Sequence, residues 1–195
     1  GRAWDEYVYN PRDLRPAELE REPIEDWITD QRYALQLFGN GLVYHSAPFA
    51  RATDLAGAFR LVLWLELDVP DTDFLATVYE IRAGGDSILL SQDVLRARYR
   101  RSLEREELVV PGAVAEYELG RFPFMARRVA AGSRLRLVLR CPNSIHWQKN
   151  RNSGGEVARE TAADARVARV RVYHDTARPS RLEVPLAAPL WGEAK

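Results

Sequence analysis

The stretch from Phe59 to Leu67, FRLVLWLEL, constrains the fold more than any other segment of the chain. Phe59, Leu61, Leu63, Leu65 and Leu67 fall on every second position, which puts them on one face of an extended strand and on no single face of a helix. The same period recurs. FLATVYEI follows from Phe74 after a break at Asp68-Val69-Pro70-Asp71, and Gly84-Gly85-Asp86 is a tight turn leading into SILLS. AVAEYEL follows the Pro111-Gly112 turn, and Leu135, Leu137 and Leu139 alternate with Arg134, Arg136 and Val138. ARVRVYH places Ala168, Val170, Val172 and His174 on one face, and RLEVPL points Leu182, Val184 and Leu186 inward, with Pro185 suited to the end of an edge strand. About eight strands without an intervening helical repeat predict an all-β fold, an antiparallel β-sandwich of the jelly-roll kind.

Residues 1–41 read differently and are expected to form an extended N-terminal arm, with the sandwich occupying 42–195. Pro11, Pro16 and Pro23 disfavour a helix there. A short helix fits between Pro23 and the Gly39-Asn40-Gly41 stop. The chain opens without an initiator methionine and reads as a piece of something longer.

Bulk chemistry narrows the partners. Apolar residues make up 46% and charged residues 29%, an ordinary globular composition, and the formal net charge is zero. That balance gives no general pull toward nucleic acid or an anionic membrane, and no apolar run reaches the ~18 residues of a membrane span. Cys141 is the only cysteine, which precludes an internal disulfide and leans toward a reducing, cytoplasmic setting. Flanked by Arg140 and Pro142 at the end of an apolar run, it reads as a buried small residue.

Catalytic patterns are missing. The nucleophile elbow G-x-S-x-G begins at Gly85-Asp86-Ser87 but fails at Leu89, and Ser87 follows a hairpin turn rather than a strand-to-helix elbow. His45-Ser46 and His174-Asp175 are adjacent pairs whose side chains point to opposite faces of a strand. There is no zinc spacing, and no cofactor is implied. Asp68, Asp71 and Asp73 share one loop and are the calcium candidates, against the alternative that they accept backbone N–H bonds in a turn. Arg96, Arg98, Arg100 and Arg101 surround Tyr99, but Glu104, Glu106 and Glu107 follow, so ion pairing explains them better than nucleic acid does. The loop PNSIHWQKNRNSGG presents His146 and Trp147 among amides, a set suited to stacking on a sugar or packing on a neighbour.

Several strings together resemble one family. LVYHSAPF at 42–49, PDTDF at 70–74, VLRARYRRSLE at 94–104, AGSRLRLVLRCPNSIHWQKNRNSGG at 131–155 and VYHDTARPSRLEVPL at 172–186 are similar, in order and spacing, to the C-terminal domain of the CocE/NonD and X-Pro dipeptidyl-peptidase hydrolases. YVYNPRDLRP at 7–16 resembles that family's linker, and DQR at 30–32 its approach to the first strand; the 17–29 segment with Trp27 departs from the usual glycine-rich linker. The resemblance implies a galactose-binding-like jelly roll packed on an upstream α/β-hydrolase domain of the same polypeptide. In the family it resembles, the Ser-Asp-His triad belongs to that earlier domain, and no triad position maps onto this chain. The expected role is an accessory domain that stabilises and partly walls the cleft of a serine hydrolase. Trp4, Tyr7 and Tyr9 of the arm, with His146 and Trp147, are the candidate docking residues. A stand-alone carbohydrate-binding module is the alternative, and the arm could also support a homo-oligomer.

Overall fold

A computed structural model describes residues 2–23 and 26–187; the ends of the expected arm and sandwich, residue 1 and residues 188–195, lie outside the described residues. Two antiparallel sheets pack face to face. The first is ordered β1 (Trp4–Tyr9), β10 (Ala168–Tyr173), β4 (Arg60–Leu67), with β7 (Val114–Leu119) on the far edge of β4 and β11 (Arg181–Glu183) end to end with β10 along its near edge. The second is ordered β2 (Gly41–His45), β9 (Arg134–Arg140), β5 (Asp73–Ile81), β6 (Ser87–Arg96). A separate ribbon pairs β3 (Thr53–Gly57) with β8 (Met125–Val129). The architecture is an all-β sandwich.

The alternating pattern of β4 does what it predicts. Phe59, Leu61, Leu63, Leu65 and Leu67 are all buried and share one core with Phe74, Ala76 and Val78 of β5 and Leu135, Leu137 and Leu139 of β9. Two inward assignments fail: His174 is exposed, and Leu186 is 64% exposed, because β11 ends at Glu183 and Leu186 instead forms an isolated antiparallel bridge to Leu55 of β3.

β5 is buried at every position. Its outer face, with Tyr79 and Ile81, forms a second small core with Val138 of β9, and Ala34 and Leu37 cover it. The cover comes from the N-terminal segment, which differs from the expected arm in two ways. Residues 4–9 are not an appendage but edge strand β1, paired in register with β10 from Trp4↔Tyr173 to Tyr9↔Ala168. The prolines also permit a short helix, α1 (Arg15–Leu19), because Pro16 sits in its first turn, where a missing N–H is harmless. The helix expected before Gly39 is reduced to a single turn, α2 (Arg32–Leu35), and Gly39, at φ +80°, follows it.

Leu65 is fully enclosed between the sheets, so Leu65→Ala is expected to lower the unfolding free energy by about 2–5 kcal/mol. Leu186→Ala should change it by no more than about 0.5 kcal/mol. Urea denaturation midpoints of the two variants check the difference.

Candidate docking surface

Asp71 and Arg98 organise one end of the sandwich. Arg98 is 3% exposed and Asp71 is fully buried. The guanidinium Nε meets Asp71 Oδ2 at 2.8 Å, and the Arg98 backbone N–H donates to Asp71 Oδ1 at 2.9 Å. Asn150 donates from Nδ2 to Asp71 Oδ2 at 2.7 Å and to Asp73 Oδ1 at 2.8 Å. Asp73 in turn takes a two-pronged contact from Arg96, at 2.8 and 3.0 Å, and Arg98 reaches the Gly155 carbonyl at 2.8 Å. Burial pushes the Asp71 carboxyl above its ordinary value, and the pull of Asn150 and Arg98 does not cancel that push. Asp68 accepts the Arg169 backbone N–H at 2.7 Å. The carboxylates considered for calcium are thus engaged by the chain's own donors.

This network fixes the middle of a long connection, at Asn150 and Gly155, while Trp147 just before it lies exposed. The 142–161 connection is not loose. Asn143 donates to the Pro11 and Asp13 carbonyls, and Lys149 donates to Pro11 at 3.2 Å. Glu20, just past α1, accepts from Ser144 Oγ at 2.6 Å and from the Ile145 N–H at 2.8 Å. Asn152, at φ +65°, donates to the Arg166 carbonyl at 2.7 Å. The N-terminal segment and the connection therefore clasp each other. A second tie holds the N-terminal segment to β6: the Leu89 N–H donates to the Ile28 carbonyl at 2.7 Å, beside the bulge where β5–β6 pairing shifts register.

The candidate residues separate into two sets. Trp147 is 41% exposed and lines a groove of about 390 Å³ with Asp73, Arg96, Tyr99, Leu103 and Arg121. The neighbouring His146 is also exposed. Tyr7 and Tyr9, by contrast, are buried in the core. Their hydroxyls bond Cys141 Sγ at 3.4 Å and the Pro142 carbonyl at 3.3 Å, tying β1 to the end of β9. Burial pushes the Cys141 thiol up to about 12 and raises both phenols. Trp4 is half-buried and packs on Tyr173, ring centroids 5.7 Å apart, with Arg171 over its face. Tyr7 and Tyr9 thus serve the domain's own packing, and Trp4 remains half-exposed at the edge of the sheet. The sequence pattern missed Ile28, Leu103 and Ile145, which are exposed with Trp27 and Trp147. Nothing in local periodicity marks them, because they sit on turns and connections.

The chain is a two-sheet β-sandwich with one clasped end that carries exposed apolar side chains. The family of X-Pro dipeptidyl-peptidase C-terminal non-catalytic domains matches residues 1–183, and the chain belongs to that family. It is 24% identical over 185 residues to a cocaine esterase of Rhodococcus sp. (strain MB1 Bresler), covering 93% of this chain but 32% of that protein. An aminopeptidase from the marine sediment archaeon Thaumarchaeota archaeon superposes with a TM-score of 0.82 at 20% identity, over 96% of this chain and 34% of that one. An α-amino acid ester hydrolase gives 0.83 at 18% identity, over 95% and 33%. The chain spans about a third of the length of these relatives. The sugar-binding reading gains nothing from them.

Asp71→Ala leaves Arg98 buried without its closest carboxylate and is expected to cost about 3–5 kcal/mol. Asp68→Ala removes a single contact to an exposed backbone N–H and should cost about 1 kcal/mol or less. Thermal unfolding of both variants followed by circular dichroism measures the contrast.

Proposed function

We propose that this chain is the accessory domain of a serine hydrolase, docked through its clasped end onto an upstream α/β-hydrolase domain of the same polypeptide, where it stabilises that domain and walls part of its cleft. One observation carries this reading. Trp147, Ile145, Leu103, Trp27 and Ile28 are large, apolar and 41–62% exposed, and they are carried on the two segments that clasp each other and on the turn beside the Trp147 groove. Exposed apolar side chains held on rigid supports suit a partner surface, since ordering them in advance lowers the cost of docking. The relatives are hydrolases about three times as long as the match, which leaves room for such a partner. Arg96 and Arg121 in the groove wall would set the register of docking through charge, as rim charges do in other interfaces.

In this reading the chain supplies shape and support, and the nucleophile belongs to the partner. The domain's histidines fit that division of labour: His45 Nε2 accepts from Arg136 at 3.0 Å, and His174 faces Asp5 at 3.5 Å. Incubating the 195-residue chain with p-nitrophenyl esters and Ala-Pro amides is expected to give no turnover above buffer. Turnover abolished by a serine-directed inhibitor would contradict the proposal.

A further inference from the structure

The groove beside Trp147 carries a charge that the domain itself does not answer. Its apolar lining includes Leu103, 58% exposed, and Trp147, 41% exposed, above the buried Leu95. Two arginines, Arg96 and Arg121, stand there against one aspartate, Asp73. That aspartate is already taken: Arg96 grips it with two bonds, at 2.8 and 3.0 Å, and Asn150 donates to it at 2.8 Å. Arg121 follows β7, and its backbone N–H is pinned to the buried Asp93 at 2.8 Å. Among the described residues its guanidinium meets no carboxylate, carbonyl or aromatic ring. The arginines of the adjacent turn are paired by contrast, Arg98 with Asp71 and both Arg100 and Arg101 with Glu107.

A second hollow of about 390 Å³ adjoins the first, sharing Arg96 and Gln148 with it, and its charges are balanced. Glu106 accepts from the Tyr99 hydroxyl at 2.7 Å and lies 3.4 Å from Arg98, and Glu156 pairs with Arg159 at 3.2 Å. The combined trough therefore runs from an unanswered cation at Arg121 to an end where exposed carboxylates hold their own partners. A partner that covers the first hollow takes Arg121 out of water. Leaving a desolvated guanidinium unpaired is costly, so the covering surface has to bring an anion to that end. At the other end an anion would face Glu106 and Glu156, which sets the direction in which a charged partner fits.

Resting on the docking proposed above, we infer that the upstream domain seats in this groove a segment that brings an aspartate or glutamate to Arg121, beside an apolar side chain that packs on Leu103 and Trp147. In the longer polypeptide that includes the upstream domain, Arg121→Lys puts a primary amine at that point. A water-soluble carbodiimide then joins the amine to a carboxylate only where the two touch. Lys149 and Lys195 are the other lysines of the chain, so peptide mass spectrometry reads coupling at position 121 cleanly. The expected product is an amide between position 121 and an aspartate or glutamate of the upstream domain. Arg82→Lys, in the exposed turn between β5 and β6, should give no such link. Arg121→Glu turns the pair into a repulsion and should speed hydrogen–deuterium exchange at residues 142–148 of the longer polypeptide at least about fivefold, and Arg121→Gln by less. Leu103→Asn should loosen the same residues by removing an apolar wall. None of these three should alter exchange there in the 195-residue chain alone. Slowed exchange at 142–148 in the longer polypeptide without the cross-link would overturn the inference and leave the docking proposal standing, whereas equal exchange in both forms would overturn both. A link from position 121 to a carboxylate of this domain or of a second copy, or Arg121→Glu without effect, would also overturn the inference.

Discussion

Arg98 carries a full charge at 3% exposure, and the arrangement of one end of the molecule follows from what that charge requires. An unpaired guanidinium at such a depth costs several kcal/mol, so a carboxylate has to be brought to it and the remaining donors have to find acceptors. Asp71 supplies the carboxylate from the turn between β4 and β5, and Gly155 supplies a carbonyl from the long connection after β9. Asn150 bridges Asp71 to Asp73. Three segments distant in sequence are thereby fixed at one point. The exposed side chains carried by two of them, Trp147 and Leu103, are held in place by a buried charge rather than by a regular ladder.

The second constraint is the burial of β5 on both faces. A sandwich strand needs cover on one side only, and here the outer side would leave Tyr79 and Ile81 open to water. The N-terminal segment provides that cover with Ala34 and Leu37, after crossing from its start as strand β1 of the opposite sheet. It therefore joins both sheets, and its exposed Trp27 and Ile28 stand on a support anchored at Leu89, while Glu20 anchors the segment to Ser144 and Ile145. Exposed apolar side chains and core cover are two sides of one segment.

Most of the fold was legible because burial on one face imposes a period of two, and Leu61, Leu63, Leu65 and Leu67 carry it without interruption. The same rule was blind where its premise fails. Tyr7 and Tyr9 alternate correctly, yet three following prolines made the segment look like an arm, and only the pairing of β1 with β10 shows why both rings are buried. Leu186 keeps the alternation after the strand has ended, so its exposure could not be read from spacing. Asp71, Asp73 and Asn150 were visible as polar residues in turns. Their meeting is a property of tertiary contact, 77 and 79 positions apart in sequence, which no local pattern encodes. Trp147 stood out by residue type alone, while Ile145 and Leu103 needed the fold to show them exposed beside it.

The central claim is our proposal that two exposed apolar segments, residues 142–148 at the clasped end and the segment around Trp27 and Ile28 beside β6, meet an upstream hydrolase domain. Hydrogen–deuterium exchange compares them directly, between the 195-residue chain and a longer polypeptide that includes the upstream domain. The account predicts slower exchange in the longer polypeptide at residues 142–148 and 26–30, with the interior strands β4 and β5 unchanged. Equal exchange at the clasped end in both forms, or protection confined to another face of the sandwich, would contradict it.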